Sequence, residues 1–519
     1  MKTIFFIAIS ILLFAACREK TNPNQTKADD SFYREPFRPQ LHFTPEAKWM
    51  NDPNGLVFHN GEYHLFYQHY PDTTVWGPMH WGHAVSSDLV HWEHLPIALY
   101  PDSLGYIFSG SAVVDKDNTS GFGTAENPPL VAIYTYHDAE KEKTGSIEFQ
   151  TQGIAYSVDN GRSWTKYEKN PVLKNPGIRD FRDPKVSWHE PTKKWVMILA
   201  VLDHVELYAS TDLKSWTKLS EFGKDYGAHG GVWECPDLFP LAIEGEGKQK
   251  WVMLVSINPG GPNVGSATQY FIGDFDGKTF TPDTDKSDIR WIDWGQDNYA
   301  GVTYSNAPDD RRIFIGWMNN WAYAQTIPTE KWRGAASLPR ELTLVKKDRK
   351  IFVSSTLVPE LFDSSVEKVQ FSDLRISDSL NLTADVKFPT GTTIIQGVVE
   401  AKSFTIQFSN RENQKLSTGY DSKNNQFFVD RSRSGVNNFS QDFKGLVSAG
   451  RYSKEDSIKF TIVMDVASIE VYFDGGVTVM TNLFFAVMPM TEFKILASEG
   501  VINVKALEVR RLESIWNRQ

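Results

Sequence analysis

A Ser-x-Asp turn leading into an aromatic residue recurs along the first two thirds of this 519-residue chain. It reads Ser86 to Asp88 before Trp92, Ser157 to Asp159 before Trp164, and Ser210 to Asp212 before Trp216, with Asp276 before Phe280 as an echo. Between the turns run short β-branched and aromatic stretches such as GEYHLFYQHY, WVMILAVL and KWVMLVSI, broken by Gly, Pro, Asn and Asp. These are strand signals with almost no helical periodicity. A turn unit repeating every ~50 to 70 residues is what radial sheets produce, each blade a small antiparallel sheet. Four such units and the one containing WMNDPNG predict five blades over residues 36–345. Ring closure removes exposed sheet edges. Residues 346–365, which include the charged run KKDRK, read as a linker. Residues 366–519 alternate apolar and polar (SFTIQFS, SIKFTIVMDV, SIEVYFDGG) as a two-sheet sandwich does. The predicted fold class is all-β: a five-bladed β-propeller followed by a C-terminal β-sandwich.

Residues 1–16 carry a Lys and a short apolar run, the pattern of a secretory signal. The run ends in small residues before Cys17, which resembles a bacterial lipoprotein signal and predicts lipidation at Cys17. Residues 17–35 would then be a polar tether, and the expected location is an exported, membrane-anchored lipoprotein. The one other cysteine is Cys235, so no disulfide is expected. A formal net charge of −10 argues against a phosphate-backbone partner and fits a neutral substrate. Sixteen tryptophans suit a sugar-binding surface, although most should fill an all-β core.

Three acids stand in constrained settings: Asp52 in NDPNG, Asp183 in FRDPKV and Glu234 in WECPDLF. Each precedes a proline by one or two residues, and proline ends or bends a strand. A lone Asp-Pro is ordinarily only a turn. Three of them on inner strands of different blades would converge on the central funnel. One carboxylate to attack an anomeric carbon and one carboxylic acid to protonate the departing oxygen make a glycoside hydrolase. Like charges and partial burial raise a carboxyl pKa, which assigns the acid role to Glu234 and the attack to Asp52.

In order, WMNDPNG, FYQHYP, WGHAVSSDLVHW, FSGSAVV, FRDPKV and WECPDLF resemble glycoside hydrolase family 32, the β-fructofuranosidases. The likeness continues through DNYAGVTYSN, GWMNNWAYAQTIPTEKWRGAASLPREL, DRSRSG and SIEVYFDGGVTVMTNLFF. It implies a five-bladed propeller with a sandwich, and retention of configuration. The implied roles are Asp52 as nucleophile, Asp183 as transition-state stabiliser and Glu234 as acid/base. The resemblance further implies that Asn51, Gln68, Trp76, Phe108, Ser109, Arg182 and Trp317 line the fructose pocket. Arg182 beside Asp183 is expected to keep that acid ionised. Trp321 and Tyr323 are candidates for stacking on a second sugar ring, or for plain rim packing.

The Asp-box turn SVDNGRSW also occurs in sialidases, but the arginine set a carboxylated sugar needs is not found here. A non-catalytic fructan-binding lipoprotein is a rival of another class, and intact acids argue against it. His80, His83, His91 and His94 invite a metal reading, yet strand packing with Trp81 and Trp92 explains them better. No metal or cofactor is expected. The predicted reaction is release of fructose from the ends of inulin or levan, and possibly from sucrose, with an endo-acting levanase as the alternative.

Overall fold

Turn chemistry decides where each sheet folds back. In the computed structural model, which describes residues 33–386 and 390–516, Ser86 Oγ donates to Asp88 Oδ1, and that oxygen also accepts from the amides of Val90 (2.9 Å) and His91 (2.8 Å). Asp212 takes the amides of Lys214 and Ser215 in the same way, Asp159 that of Ser163, and Asp276 those of Lys278 and Thr279. These Asx-type turns each join the third and fourth strands of a blade. The aromatic residue that follows then drops into the apolar layer between neighbouring blades: Phe280 into the cluster built on Trp233 and Phe271, and Trp216 against that of Met197 and Ile133. The repeat in the sequence is therefore a folding device, with one hydrogen-bonded turn and one packing anchor in each of the first four blades.

The five expected blades are present. Their innermost strands are Lys48–His59, Tyr106–Val114, Phe181–His189, Val232–Ala242 and Tyr299–Thr303. Blade one closes on blade five through a parallel pairing of Lys48–Trp49 with Trp332–Arg333 and a bridge between Val57 and Ser305. Two six-stranded sheets follow and form the expected sandwich around Ile395, Phe408, Phe427 and Phe473.

The linker expected at 346–365 is corrected. Arg340–Lys347 and Lys350–Leu357 pair as the outer hairpin of blade five, with Lys347 opposite Lys350. The two residues between them, Asp348 (φ 47°) and Arg349 (φ 71°), both take left-handed backbone, the signature of a two-residue primed turn. Such turns usually carry Asn-Gly, so Asp-Arg within a charged run concealed it. The remainder holds the short helix Pro359–Ser364 and then the first sandwich strand, Ser365–Ile376. Cys17, the signal and all but the last three residues of the tether lie outside the described residues. No described helix is long and apolar enough to cross a membrane.

The two domains meet through buried charge. Arg340 is fully buried and donates to Asp293 Oδ2 and Glu470 Oε2, both at 2.8 Å, and to Thr481 Oγ1 at 2.6 Å. Glu470 also faces His42 Nε2 at 3.0 Å, while His42 Nδ1 lies 2.7 Å from Asp465 Oδ2. Burial alone would depress the His42 pKa, but hydrogen bonds to the two carboxylates raise it from 6.5 to about 9. A His whose folded pKa is raised stabilises the fold fully below its unfolded pKa and loses that contribution as pH rises through the folded one. The wild type should thus lose stability between pH 6.5 and about 9. His42→Gln should melt several degrees lower at pH 6, with the gap narrowing towards pH 9, as followed by thermal denaturation across that range.

Candidate active site

An extra residue is inserted into the inner strand of every blade at the same level of the ring, and blade one has a second shift further along, between Asn54 and Val57. Met50 pairs with His69 and Pro53 with Tyr67, so three steps on the inner strand oppose two on its neighbour. The offset repeats at Ile107/Gly110, Arg182/Lys185, Glu234/Asp237 and Tyr299/Val302. A bulge bends its strand and re-aims the side chains it carries. The bulged residues are Asn51 and Asp52, Phe108 and Ser109, Asp183 and Pro184, Cys235 and Pro236, and Ala300 and Gly301. Asp183 (φ 64°), Cys235 (φ 45°) and Ala300 (φ 53°) hold left-handed backbone there, each at a cost of about 1–3 kcal/mol. Pro53, Pro184 and Pro236 therefore bend their strands without ending them.

The bulges surround a cavity of about 290 Å³ at the strand starts. Asp52, Asp183 and Glu234 all line it, from blades one, three and four. Asn51, Gln68, Trp76, Phe108, Ser109 and Arg182 line it as well. Trp317 does not. It is wholly buried, with ring centroids 6.0 Å from Trp49 and 4.8 Å from Trp321, and Trp321 is the tryptophan that reaches the cavity. Tyr323 is likewise buried; its hydroxyl donates to Asp297 Oδ1 at 2.6 Å. His83 stacks on Phe66, His94 on Trp516, and His91 pairs with Asp88, so these histidines serve packing and turns.

Each acid has distinct company. Asp52 accepts from Asn51 Nδ2 (3.0 Å) and Ser109 Oγ (2.7 Å), and Asn51 is itself fixed by Trp49 Nε1 at 2.7 Å. Glu234 accepts from Arg182 Nη2 at 3.0 Å on one oxygen and from the Tyr299 hydroxyl on the other. Asp183 accepts the Cys235 amide at 3.0 Å. The Cys235 thiol lies 3.4 Å from Asp52 Oδ2 and 3.7 Å from Asp183 Oδ2, a weak donor placed between two carboxylates. Burial and the surrounding carboxylates push its pKa well up, which keeps it a thiol.

Burial raises the Asp52 pKa, with Glu234 adding repulsion and the Asn51 amide opposing it. Asp183 is driven up to about 7, first by burial and then by the charges of Glu234 and Asp52, against the pull of Arg182. The expectation that Arg182 holds Asp183 in the ordinary carboxylate range is corrected by geometry. The guanidinium turns to Asp180 (2.6 Å) and Glu234 (3.0 Å) and stays 3.9 Å from Asp183.

Sequence reasoning missed Tyr299, which supports Glu234 from behind the cavity, and the wall residues His137 and Glu142. Tyr299 carried no signal beyond its place in DNYAGVTYSN. His137 stacks on Phe108 at 4.3 Å, and Glu142 lies on the short helix Ala139–Lys143, in a connection with no turn motif. A larger cavity, about 730 Å³, opens between Ser355–Leu357 and the sandwich, but its one acid, Glu508, is already bound by Gln370 and Arg510.

Residues 42–355 match the glycosyl hydrolases family 32 N-terminal domain, and residues 355–511 match the family 32 C-terminal region. The levanase of Bacillus subtilis is 47% identical over 505 residues, covering 94% of this chain and 72% of that enzyme. The extracellular exo-inulinase inuE of Aspergillus niger is 39% identical over 521 residues, covering 93% and 96%. The crystal structure of exo-inulinase from Aspergillus awamori superimposes with a TM-score of 0.85 at 36% identity, covering 93% of this chain and all of that one.

An acid whose folded pKa is raised destabilises the fold once ionised. The Asp183 penalty is absent below pH 3.8 and grows as pH rises through about 7. Asp183→Asn can keep the Cys235 amide bond through its carbonyl, so it should melt a few degrees above wild type at pH 8, with the difference vanishing towards pH 4; equal melting at pH 8 would contradict the cause given. With three acids gathered on one pocket and both domains matched, the chain belongs to glycosyl hydrolases family 32 and is a glycoside hydrolase.

Proposed function

We propose that this enzyme is a retaining β-fructofuranosidase that releases fructose from the ends of fructan chains and also accepts sucrose. The observation that carries the reading is the convergence of Asp52, Asp183 and Glu234 on one pocket with a closed floor. Asp52 attacks the ketose C2 from below while Glu234 donates its proton to the departing oxygen; Glu234 then takes a proton from the water that releases fructose. Asp183 binds fructosyl hydroxyls and steadies the oxocarbenium-like centre between. Ser109 and Asn51 hold the Asp52 carboxylate in line. Arg182 and Tyr299 hold that of Glu234 from opposite sides. Gln68 Nε2 is buried without a hydrogen bond and is the donor left over for a sugar hydroxyl.

The shape of the pocket supports exo action. A cavity of about 290 Å³ lies at the small end of ligand sites, enough for one terminal sugar and little more. Beneath it the channel narrows to a void of about 10 Å³ walled by Pro53, Asn54, Cys235 and Pro236, so no chain can thread through. Trp321 and Trp76 stand at the wall to receive the next ring. The similarity to exo-inulinases over nearly the whole chain supports the same mode.

Product analysis on inulin, levan and sucrose tests this reading. Fructose alone from polymer is expected, and early oligosaccharides would favour the endo alternative. Asp52→Asn and Glu234→Gln should each lower kcat by about a thousandfold or more with the fold intact. Export with lipid attachment at Cys17 completes the proposal. Cys17→Ala should move the protein from the membrane fraction to the soluble one, and unchanged fractionation would refute the anchor.

A further inference from the structure

The propeller channel has a second mouth. On the face away from the three acids, where the inner strands end, lies a cavity of about 400 Å³. The floor void separates the two, and Lys185 borders both that void and the rear cavity. No residue of the active-site pocket lines the rear cavity.

The charges around it are unevenly satisfied. Asp115 is buried and spends its oxygens on the Thr119 and Ser120 amides and the Thr119 hydroxyl. Asp237 accepts from the amides of Leu238 and Thr303 and the Thr303 hydroxyl, and lies 3.4 Å from Lys185 Nζ. Glu190 is held by Trp188 Nε1 and by Lys193. Arg312 has no such partner. Among the described residues it forms no ion pair, its Nε is buried without a hydrogen bond, and its one recorded bond is a long one, 3.5 Å from Nη1 to the Tyr304 carbonyl. Its neighbour Arg311, by contrast, pairs with both Glu341 and Glu360. The Arg312 guanidinium lies 5.0 Å from the Phe239 ring centroid, and burial depresses its pKa against the pull of the Asp237 and Asp310 carboxylates, which lie near it without forming an ion pair. Arg312 is half-buried with its Nε out of water, and an anion joining it would offset that desolvation. Exposed Lys116 adds a second positive charge at the rim, next to the exposed carboxylate of Asp117, and the indole of Trp188 offers a flat wall.

We infer that the rear mouth of the propeller is a binding site for a small oxyanion, a phosphate or carboxylate, carried on a body up to the size of a sugar. Arg312 grips the oxyanion through its free fork, Lys116 closes over it from the rim, and the body of the ligand rests on Trp188. The site is independent of hydrolysis and does not rest on the choice of fructan as substrate.

Calorimetric titration of the purified enzyme with inorganic phosphate, citrate, glucose 6-phosphate and glucose tests it. Saturable one-to-one binding of at least one of the three anions, and none of glucose, is expected. Phosphate or citrate binding alone would identify the acid group as the whole ligand, and preference for the phosphosugar would place a ring on Trp188. Arg312→Leu should weaken the binding by about tenfold or more while sucrose turnover stays within about twofold of wild type. Should that variant melt early, Arg312→Lys, which keeps the charge and loses the fork, should bind several-fold more weakly. Absence of saturable binding up to about 20 mM, or equal affinity of the wild type and the folded Arg312 variants, overturns the proposal.

Discussion

A closed ring fixes how many side chains can reach its axis, and a regular strand sends every second one sideways into a neighbouring blade. The extra residue in each inner strand removes that restriction at a level all five blades share. Asn51 and Asp52 thereby turn inward together, as do Phe108 and Ser109. Without the bulges, alternation would carry one member of each pair into the interblade layers, and the three acids would not share a cavity. Prolines mark the bend in blades one, three and four, where the carboxylates sit; Pro184 and Pro236 stand at positions that have left the ladder, where a residue without an N–H loses nothing, and Pro53 is the first paired residue after the bulge. Catalytic geometry here is a defect in the sheet, repeated five times and occupied differently each time.

The sandwich belongs to the same construction. Arg431 is buried within it and reaches across to Asp297 Oδ2 at 2.6 Å, while the other oxygen of Asp297 takes the Tyr323 hydroxyl. Tyr323 lies two residues from Trp321, which forms one wall of the pocket, and Asn320 beside it donates to the Gln296 carbonyl at 2.7 Å. A loop that would otherwise be free at the mouth is thus pinned from a second domain. Gly295 shows how close the contact is: a Cβ there would sit 2.0 Å from the Thr481 carbonyl oxygen. The position of a pocket wall is in this way a consequence of interdomain packing, and the pocket would be less well defined in the propeller alone.

Much of this was legible in the sequence because the first four blades write the same turn and the same anchor. Asp88, Asp159 and Asp212 mark hairpins by a hydrogen-bond pattern that few other residues supply. The acids were legible because proline flagged them. What escaped lacked a local mark. The hairpin at Asp348–Arg349 uses residues seldom chosen for left-handed backbone, so a strand pair read as a linker. Trp317 and Trp321 are four residues apart in one motif, and which of them reaches the cavity depends on the packing of Trp49, a contact of 268 residues' separation that spacing cannot encode. The turning of Arg182 towards Asp180 and Glu234, away from its neighbour Asp183, is likewise a three-dimensional fact.

Such a pocket is poor for stability and has to be carried by the rest of the molecule. Two of its carboxyls are pushed upward by burial, one cation serves three acids, and three bulge residues hold left-handed backbone. Together the backbone terms alone amount to several kcal/mol, comparable with the net stability of a typical domain. The compensation lies in the layers between blades, where Trp81, Tyr134, Trp233, Phe271 and Phe314 are buried almost completely and each contributes about 1.5–3 kcal/mol or more. All of those layers but the one around Phe314 take in a repeated aromatic anchor. The feature that makes the chain readable as a propeller is therefore also what allows its centre to remain strained, charged and reactive.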